Sequence, residues 1–167
     1  MKKLIFLGAL AFGILISSIA FADITIPMYL TAAHGQGKFI GNIVASDTSG
    51  GLMLVPHLTG LTPGAHGFHI HQNPSCDNNG MAAGGHLDPS HTNQHLGPNN
   101  PSGHLGDLPV LIVDQNGKAS TPVVASRLNT GFLKGHTLMI HQNGDNYSDI
   151  PEANGGGGPR VACGIVP

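Results

Sequence analysis

The sequence predicts an all-β domain, a β-sandwich or barrel built from eight short strands. Segments in which apolar and polar residues alternate, or in which β-branched residues cluster, recur along the chain. Turn-forming stretches separate them, including SDTSGG, LTPG, Asn116-Gly117 and the glycine run at 155–158. No window of helical length carries an apolar repeat of about 3.6 residues. This combination is typical of a sandwich or barrel.

Each predicted strand is a run of seven to nine residues with one of these two patterns. In chain order the eight segments are 24–30 (ITIPMYL), 38–46 (KFIGNIVAS), 51–58 (GLMLVPHL), 65–72 (AHGFHIHQ), 108–114 (LPVLIVD), 120–126 (STPVVAS), 136–142 (HTLMIHQ) and 160–166 (RVACGIV).

Residues 1–22 have the pattern of a secretory signal peptide. Lys2 and Lys3 precede an apolar run, and the small-residue pattern Ala20-Phe21-Ala22 ends it. The run is shorter than the roughly 18 to 20 residues that a membrane-spanning helix needs. We therefore expect cleavage before Asp23, export of the mature chain, and a single domain over residues 23–167.

Charge and cysteine content narrow the function classes. Loss of residues 1–22 takes away two of the seven basic residues and none of the nine acidic ones, which leaves five against nine and a net charge of −4 with histidine neutral. This balance argues against nucleic acid or an anionic membrane as a partner. Cys76 and Cys163 form an even pair in an exported chain, which favours a disulfide over two free buried thiols.

Two long segments, 73–107 and 143–159, do not fit a minimal sandwich. Both are rich in Gly, Asn, Asp and Pro. A connection of about 35 residues without secondary structure normally has a function or is held in place by a cross-link or a bound ion. The first segment contains candidate metal ligands and one cysteine: Cys76, His86, His91, His95, His104 and Asp107. A metal ion and a disulfide could therefore replace the missing core there.

His69 and His71 are two residues apart in a predicted strand, so their side chains project from one face and can reach one ion. Paired strand histidines also occur on solvated faces, but His141 ends a second predicted strand and adds a third imidazole. Several imidazoles on one ion suit copper or zinc, and tetragonal geometry favours Cu(II). His66 has the opposite parity, and we expect it to hydrogen-bond backbone.

A second group has the spacing H-x8-H-x8-H-x2-D and consists of His86, His95, His104 and Asp107. Three nitrogens and one carboxylate oxygen form a closed tetrahedral set of the kind that zinc accepts. His91 offers a competing register, and glycine-rich loops also collect histidines without binding metal.

Several segments together resemble the copper/zinc superoxide dismutase family, in the variety exported to the bacterial periplasm. In chain order they are GFHIH, CDNNGMAAGGHLDP, HLGP, GHLGDLP, LMIHQNGDN and GGGGPRVACGIV, and they cover essentially the whole mature chain. The resemblance implies an eight-stranded Greek-key β-sandwich or barrel, immunoglobulin-like, with two long metal-site loops.

Residue by residue, the resemblance implies one copper site, one zinc site and a disulfide. The copper ligands would be His69, His71, His86 and His141. The zinc ligands would be His86, His95, His104 and Asp107, with His86 shared between the two ions. The disulfide would pair Cys76 with Cys163, and His91 would be a solvated loop residue.

The implied activity is dismutation of superoxide to oxygen and hydrogen peroxide by a redox-cycling copper beside a structural zinc, which protects the cell envelope. In the family mechanism His86 also delivers a proton, and Asp145 hydrogen-bonds one copper histidine and one zinc histidine. Arg160 would hold the anionic substrate near copper. The chain departs from the family in one respect, because neither long segment contains a lysine.

The resemblance implies superoxide as the substrate, no nucleic-acid partner, no membrane association after signal cleavage, and a monomer or homodimer. A protein that buffers or delivers metal is the main alternative, and a shared His86 and Arg160 argue against it. A dismutase-like binding module would be expected to lack ligands, and a copper-only relative would lack His95, His104 and Asp107.

Overall fold

A computed structural model describes residues 23–167, so the predicted signal peptide over 1–22 lies outside the described residues. This part of the chain is all-β, with three short 3-10 turns. Its strands are β1 (Ile24–Thr31), β2 (Gln36–Thr48), β3 (Gly51–Thr59), β4 (Gly64–His66), β5 (Phe68–His71), β6 (Leu111–Val113), β7 (Lys118–Ala119), β8 (Val123–Ala125), β9 (Thr137–His141) and β10 (Arg160–Ile165). Within residues 23–167, no helix has the length and apolar character to cross a membrane.

Residues 23–167 contain ten strands where eight were predicted, for two local reasons. The segment 65–72 divides at Gly67 into β4 and β5, which belong to different sheets. Gly67 donates its N–H to the carbonyl of Asn143 instead of continuing either strand. The two-residue β7 follows the Asn116-Gly117 turn and is too short to show a periodic pattern.

The strands form one curled antiparallel sheet in the order β5-β9-β10-β1-β2-β3-β7, with β8 also paired to β3, and a small sheet of β4 and β6. Neighbours such as β5 and β9, or β10 and β1, are far apart in sequence, so the chain crosses over between them. This half-barrel confirms the predicted fold class.

The concave face of the sheet carries the core. On β3 the alternating residues Leu52, Leu54 and Leu58 are each at most 1% exposed, as the period of two requires. Burying a side chain of this size contributes roughly 1.5 to 3 kcal/mol. Phe68 and Ile70 on β5 are fully buried in the same core, so the strand that carries His69 and His71 is anchored from behind.

The free edge of β5 is covered by the segment 73–107. Ile70 donates its N–H to the carbonyl of Gly106 at 2.9 Å and accepts from the N–H of Leu87 at 2.8 Å. The middle and the end of the segment therefore pair with one strand, which satisfies an edge that would otherwise be open. This pairing brings the predicted ligands of the segment next to those of β5.

A disulfide joins Cys76 to Cys163, with the two Cα atoms 6.0 Å apart. It links the start of the segment 73–107 to β10 and is buried with Ala83 and Met139. The predicted disulfide is confirmed, and the alternative of two free thiols is wrong.

Candidate metal centre

Main-chain pairing sets the site at the edge of β5. Isolated antiparallel bridges place His69 opposite Asp107 and His71 opposite His86. On its other side β5 pairs with β9, which ends at His141. Three separate stretches of chain therefore bring their imidazoles to one place.

The first cluster consists of His69, His71, His86 and His141, each able to offer one ligand atom within 4.8 Å of the others. His71 donates from Nδ1 to the carbonyl of Gly84 at 2.9 Å, and His141 donates from Nδ1 to that of Gly158 at 3.1 Å. Because Nδ1 carries the hydrogen in each ring, Nε2 keeps its lone pair. These two Nε2 atoms lie 3.4 Å apart and face each other.

The second cluster gathers His86, His95 and His104 around the carboxylate of Asp107. Their Nδ1 atoms lie 2.9, 3.0 and 3.4 Å from Oδ1 of Asp107. All four residues are buried. Three nitrogens around one buried carboxylate match the donor set that tetrahedral zinc accepts.

His86 belongs to both clusters. Its ring stacks on that of His69 with centroids 3.9 Å apart, and its centroid lies 5.1 Å from that of His71. On the other side the ring centroid of His104 is 5.2 Å away. With Nδ1 directed at Asp107, Nε2 is the nitrogen left for the first cluster.

Asp145 connects the two clusters from behind. Its Oδ2 accepts from Nε2 of His69 and its Oδ1 from Nε2 of His95, both at 2.8 Å. Each bond fixes the ring tautomer and leaves Nδ1 directed inward. Gly155 permits this arrangement, since its φ is +75° and a Cβ there would overlap the carboxylate of Asp145.

Three of these inward nitrogens are fully buried yet make no hydrogen bond to any residue that the structure describes: Nδ1 of His69, His95 and His104. Buried polar atoms are normally paired, and an unpaired one costs roughly 1 to 3 kcal/mol. Metal ions at the two clusters would satisfy all three atoms. The donor chemistry also fits, with imidazoles for copper and imidazoles plus a carboxylate for zinc.

Burial lowers the pKa of the histidines in the first cluster and so favours neutral imidazoles. Desolvation lowers the pKa of His69 and His71 well below the ordinary value and lowers the pKa of His86. It also lowers the pKa of His141 to about 4. Neutral rings have the free lone pairs that a metal ion needs.

Ionised carboxylates dominate the second cluster. Burial alone would lower the pKa of His95, but its contacts with Asp107 and Asp145 raise it to about 9. The same histidine contacts hold the pKa of both carboxyl groups well below the usual range, despite burial that opposes this. Asp107 and Asp145 therefore stay negative and offset the charge of bound cations.

Arg160 lines an open cleft of about 450 Å³ together with His86 and His141. Its Nη1 donates to the carbonyl of Gly80 and its Nη2 to that of Gly84, both at 2.6 Å. Among the described residues that line the cleft, Arg160 carries the one permanent positive charge and Glu152 the one acidic group. The guanidinium is thus held where an anion would enter.

The structure brings together every ligand candidate of the two predicted clusters. His91 is exposed and belongs to neither cluster. The ring nitrogens of His66 lie 2.7 Å from the carbonyl oxygens of His141 and Thr62, which confirms the expected backbone contacts.

Sequence reasoning missed the main-chain acceptors Gly84 and Gly158 and the close approach of Gly155 to Asp145. The glycine-rich composition of both segments was the signal, but it does not reveal which carbonyl faces which ring.

A curled all-β sheet whose edge carries a four-imidazole cluster and an adjoining cluster of three imidazoles and one carboxylate defines a two-metal protein of the copper and zinc type. The family model for copper/zinc superoxide dismutase (SODC) matches residues 40–166. The chain belongs to this family.

Several similar proteins come from bacteria. A superoxide dismutase [Cu-Zn] 1 of Salmonella typhimurium is 51% identical over 95% of this chain and 96% of its own. The solved Cu/Zn superoxide dismutase from Brucella abortus superposes with a TM-score of 0.83 at 46% identity, covering 87% of this chain and all of its own. The monomeric copper, zinc superoxide dismutase from Salmonella enterica gives a TM-score of 0.77 at 50% identity over the same shares.

The expectations of family, enzyme class and cofactors are confirmed. The chain is a superoxide dismutase that uses copper and zinc, with superoxide as its substrate. The metal-buffering alternative does not account for these matches.

Proposed function

We propose that the first cluster holds the redox-active copper and the second cluster the zinc of an exported dismutase that protects the cell envelope. The observation that carries this assignment is the inward direction of the unpartnered Nδ1 atoms of His69, His95 and His104. Copper when bound supplies one-electron exchange with superoxide, and zinc supplies a fixed divalent charge without redox chemistry.

The residues around the centre orient the ligand rings and supply a proton. His86 is fixed through Nδ1 toward Asp107. Its Nε2 could hold a proton only while that nitrogen is not bound to copper, and it would then transfer the proton toward the cleft when peroxide forms. Asp145 keeps the rings of His69 and His95 in one tautomer. His71 and His141 are held by carbonyl oxygens on the side away from the cluster.

Arg160 binds the anionic substrate at the cleft. Its guanidinium is permanently charged, and the mature chain has a net charge that repels superoxide. Local attraction at this residue therefore opposes the overall repulsion.

Residues 1–22 direct export to the periplasm in this proposal, and the domain begins at Asp23. The disulfide between Cys76 and Cys163 supports it, since such bonds persist in oxidising compartments. Intact mass of protein from the periplasmic fraction should equal residues 23–167 with the disulfide formed. Retention of residues 1–22 would contradict it.

We propose that the protein is a monomer rather than a homodimer. The Salmonella enterica relative, which is described as monomeric, supports this. Sedimentation equilibrium of the metal-loaded protein should give the mass of one chain, and a dimer mass would contradict this.

The ligand assignment is tested by single substitutions. His141→Ala should lose copper and keep zinc, whereas Asp107→Ala should lose zinc preferentially. Metal analysis of both purified variants measures this. Loss of zinc from His141→Ala with copper retained would reverse the assignment.

A further inference from the structure

Arg127 contacts the backbone of the second cluster from outside both long segments. It lies in the turn after β8 and is partly buried. Its Nη1 donates to the carbonyl of His104 at 3.1 Å and its Nη2 donates to the carbonyl of Gly103 at 3.3 Å. One guanidinium therefore holds two successive peptide groups, one of which belongs to a candidate metal ligand.

His104 is the member of this cluster that most needs such support. It is 9% exposed, against 6% or less for His86, His95 and Asp107. Its Nδ1 is also the farthest of the three from Oδ1 of Asp107. Among the described residues no carboxylate hydrogen-bonds its outer nitrogen, in contrast to His95. Its position depends on its main chain, where the N–H donates to the carbonyl of Gln94 at 2.9 Å.

The turn that presents Arg127 is itself fixed to the sheet. Leu128 is buried, and its carbonyl accepts from the N–H of Leu52 on β3 at 2.9 Å. Asp47 on β2 accepts from the N–H and the hydroxyl of Thr130 at 2.6 and 2.8 Å. The guanidinium is thus attached to a rigid frame rather than to a mobile surface loop.

We propose that Arg127 is a positioning residue for the zinc site, which holds His104 in its ligating position through the backbone. This inference rests on the proposed assignment of His104 to zinc. Two physical effects predict opposite results here. A positive charge near a divalent cation repels it, so charge alone would make Arg127 weaken zinc binding. If Arg127 acts by positioning, it strengthens zinc binding, because removing its side chain leaves His104 free to move.

The test measures zinc release from the copper- and zinc-loaded protein to a chromogenic chelator at neutral pH. Arg127→Ala should release zinc about tenfold faster than the wild type, in the range typical for loss of such supporting contacts, and should keep its copper. Arg127→Lys keeps the charge without the two-pronged donor and should fall between the two. Ser126→Ala is the matched control, since Ser126 contacts Asn99 from the same turn at 3.3 Å without touching a ligand.

A second measurement reports geometry directly. With Co²⁺ in the zinc site, Arg127→Ala should shift the visible absorption bands of the cobalt, and Ser126→Ala should leave them unchanged. Zinc release from Arg127→Ala that is unchanged or slower would overturn the proposal. Equal acceleration in Ser126→Ala would overturn it too, because the effect would then belong to the turn. If His104→Ala retains zinc as the wild type does, the zinc assignment itself fails, and this proposal fails with it.

Discussion

Arg160 and His71 donate hydrogen bonds to the same carbonyl oxygen, that of Gly84, at 2.6 and 2.9 Å. The group that we propose to bind substrate and a ligand of the first cluster are therefore positioned by one peptide unit. Gly84 has a φ of +77°, a conformation that residues with a Cβ rarely adopt. The orientation of the anion site relative to copper thus depends on a backbone detail of the segment that the disulfide attaches to β10.

Replacing Arg160 with alanine should lower the dismutation rate at low ionic strength by at least several-fold while both metals stay bound. Local charge can raise the encounter rate by roughly ten to a thousandfold, and Arg160 is the permanent positive charge of the cleft. Stopped-flow decay of superoxide measures the effect. Arg160→Lys should recover part of the rate. Unchanged activity of a fully loaded Arg160→Ala would show that this residue does not guide the substrate.

The salt dependence of the dismutation rate should differ between the wild type and Arg160→Ala. Screening acts beyond about 10 Å at 0.1 M ionic strength, so added salt should slow the wild type more steeply than Arg160→Ala. Rates across a series of salt concentrations provide the comparison. Equal slopes would mean that the attraction arises elsewhere on the protein.

His104→Ala should lose zinc and loosen residues 73–107. The inward-facing Nδ1 of this residue makes no hydrogen bond within residues 23–167 and lies 3.4 Å from Oδ1 of Asp107, so metal binding explains its role. Limited proteolysis should show faster cleavage within the segment, and metal analysis should show the loss of zinc. His91→Ala, at an exposed position of the same segment, is the control. If His91→Ala loses zinc and His104→Ala does not, the register of ligands is wrong.

Gly155→Ala should destabilise the loaded protein by more than the roughly 1 to 2 kcal/mol expected for a left-handed backbone alone. The added Cβ would overlap Asp145 and displace the carboxylate that orients His69 and His95. Gly156→Ala is the control, since Gly156 has a similar φ of +71° but 3.5 Å of space. Thermal unfolding measures both variants, and equal destabilisation would remove the role assigned to the close approach.

The metal-free protein should lose stability on both sides of about pH 6.5. Burial depresses the pKa of His141 to about 4, so the unfolded chain binds this proton first as the pH falls from 6.5 to 4, and unfolding is favoured. His95 acts in the opposite sense, because its pKa is raised to about 9 and its contribution is lost as the pH rises from 6.5 to 9. Chemical denaturation at several pH values measures both limbs.

His141→Ala isolates the acid limb. Without this buried imidazole, the loss of stability between pH 6.5 and pH 4 should be smaller than in the metal-free wild type. An identical acid limb in both proteins would show that His141 is not the source of the effect.

Strand periodicity predicted the sheet because a half-buried strand must alternate, and β3 shows this at Leu52, Leu54 and Leu58. Parity likewise predicted that His69 and His71 share a face. The break at Gly67 was not predictable, since it depends on a hydrogen bond to Asn143 from a distant segment.

The contact of Arg127 with His104 could not be predicted from the sequence for the same reason. It joins residues 23 apart through a side chain and a carbonyl, and neither residue type indicates it.

Metal content and superoxide decay measured on one preparation test the central claim most directly. The account predicts about one copper and one zinc per chain, rapid decay of superoxide, and loss of that activity together with copper in His141→Ala. A protein that binds both metals in these amounts without accelerating superoxide decay would contradict it, and the clusters would then serve metal storage or delivery.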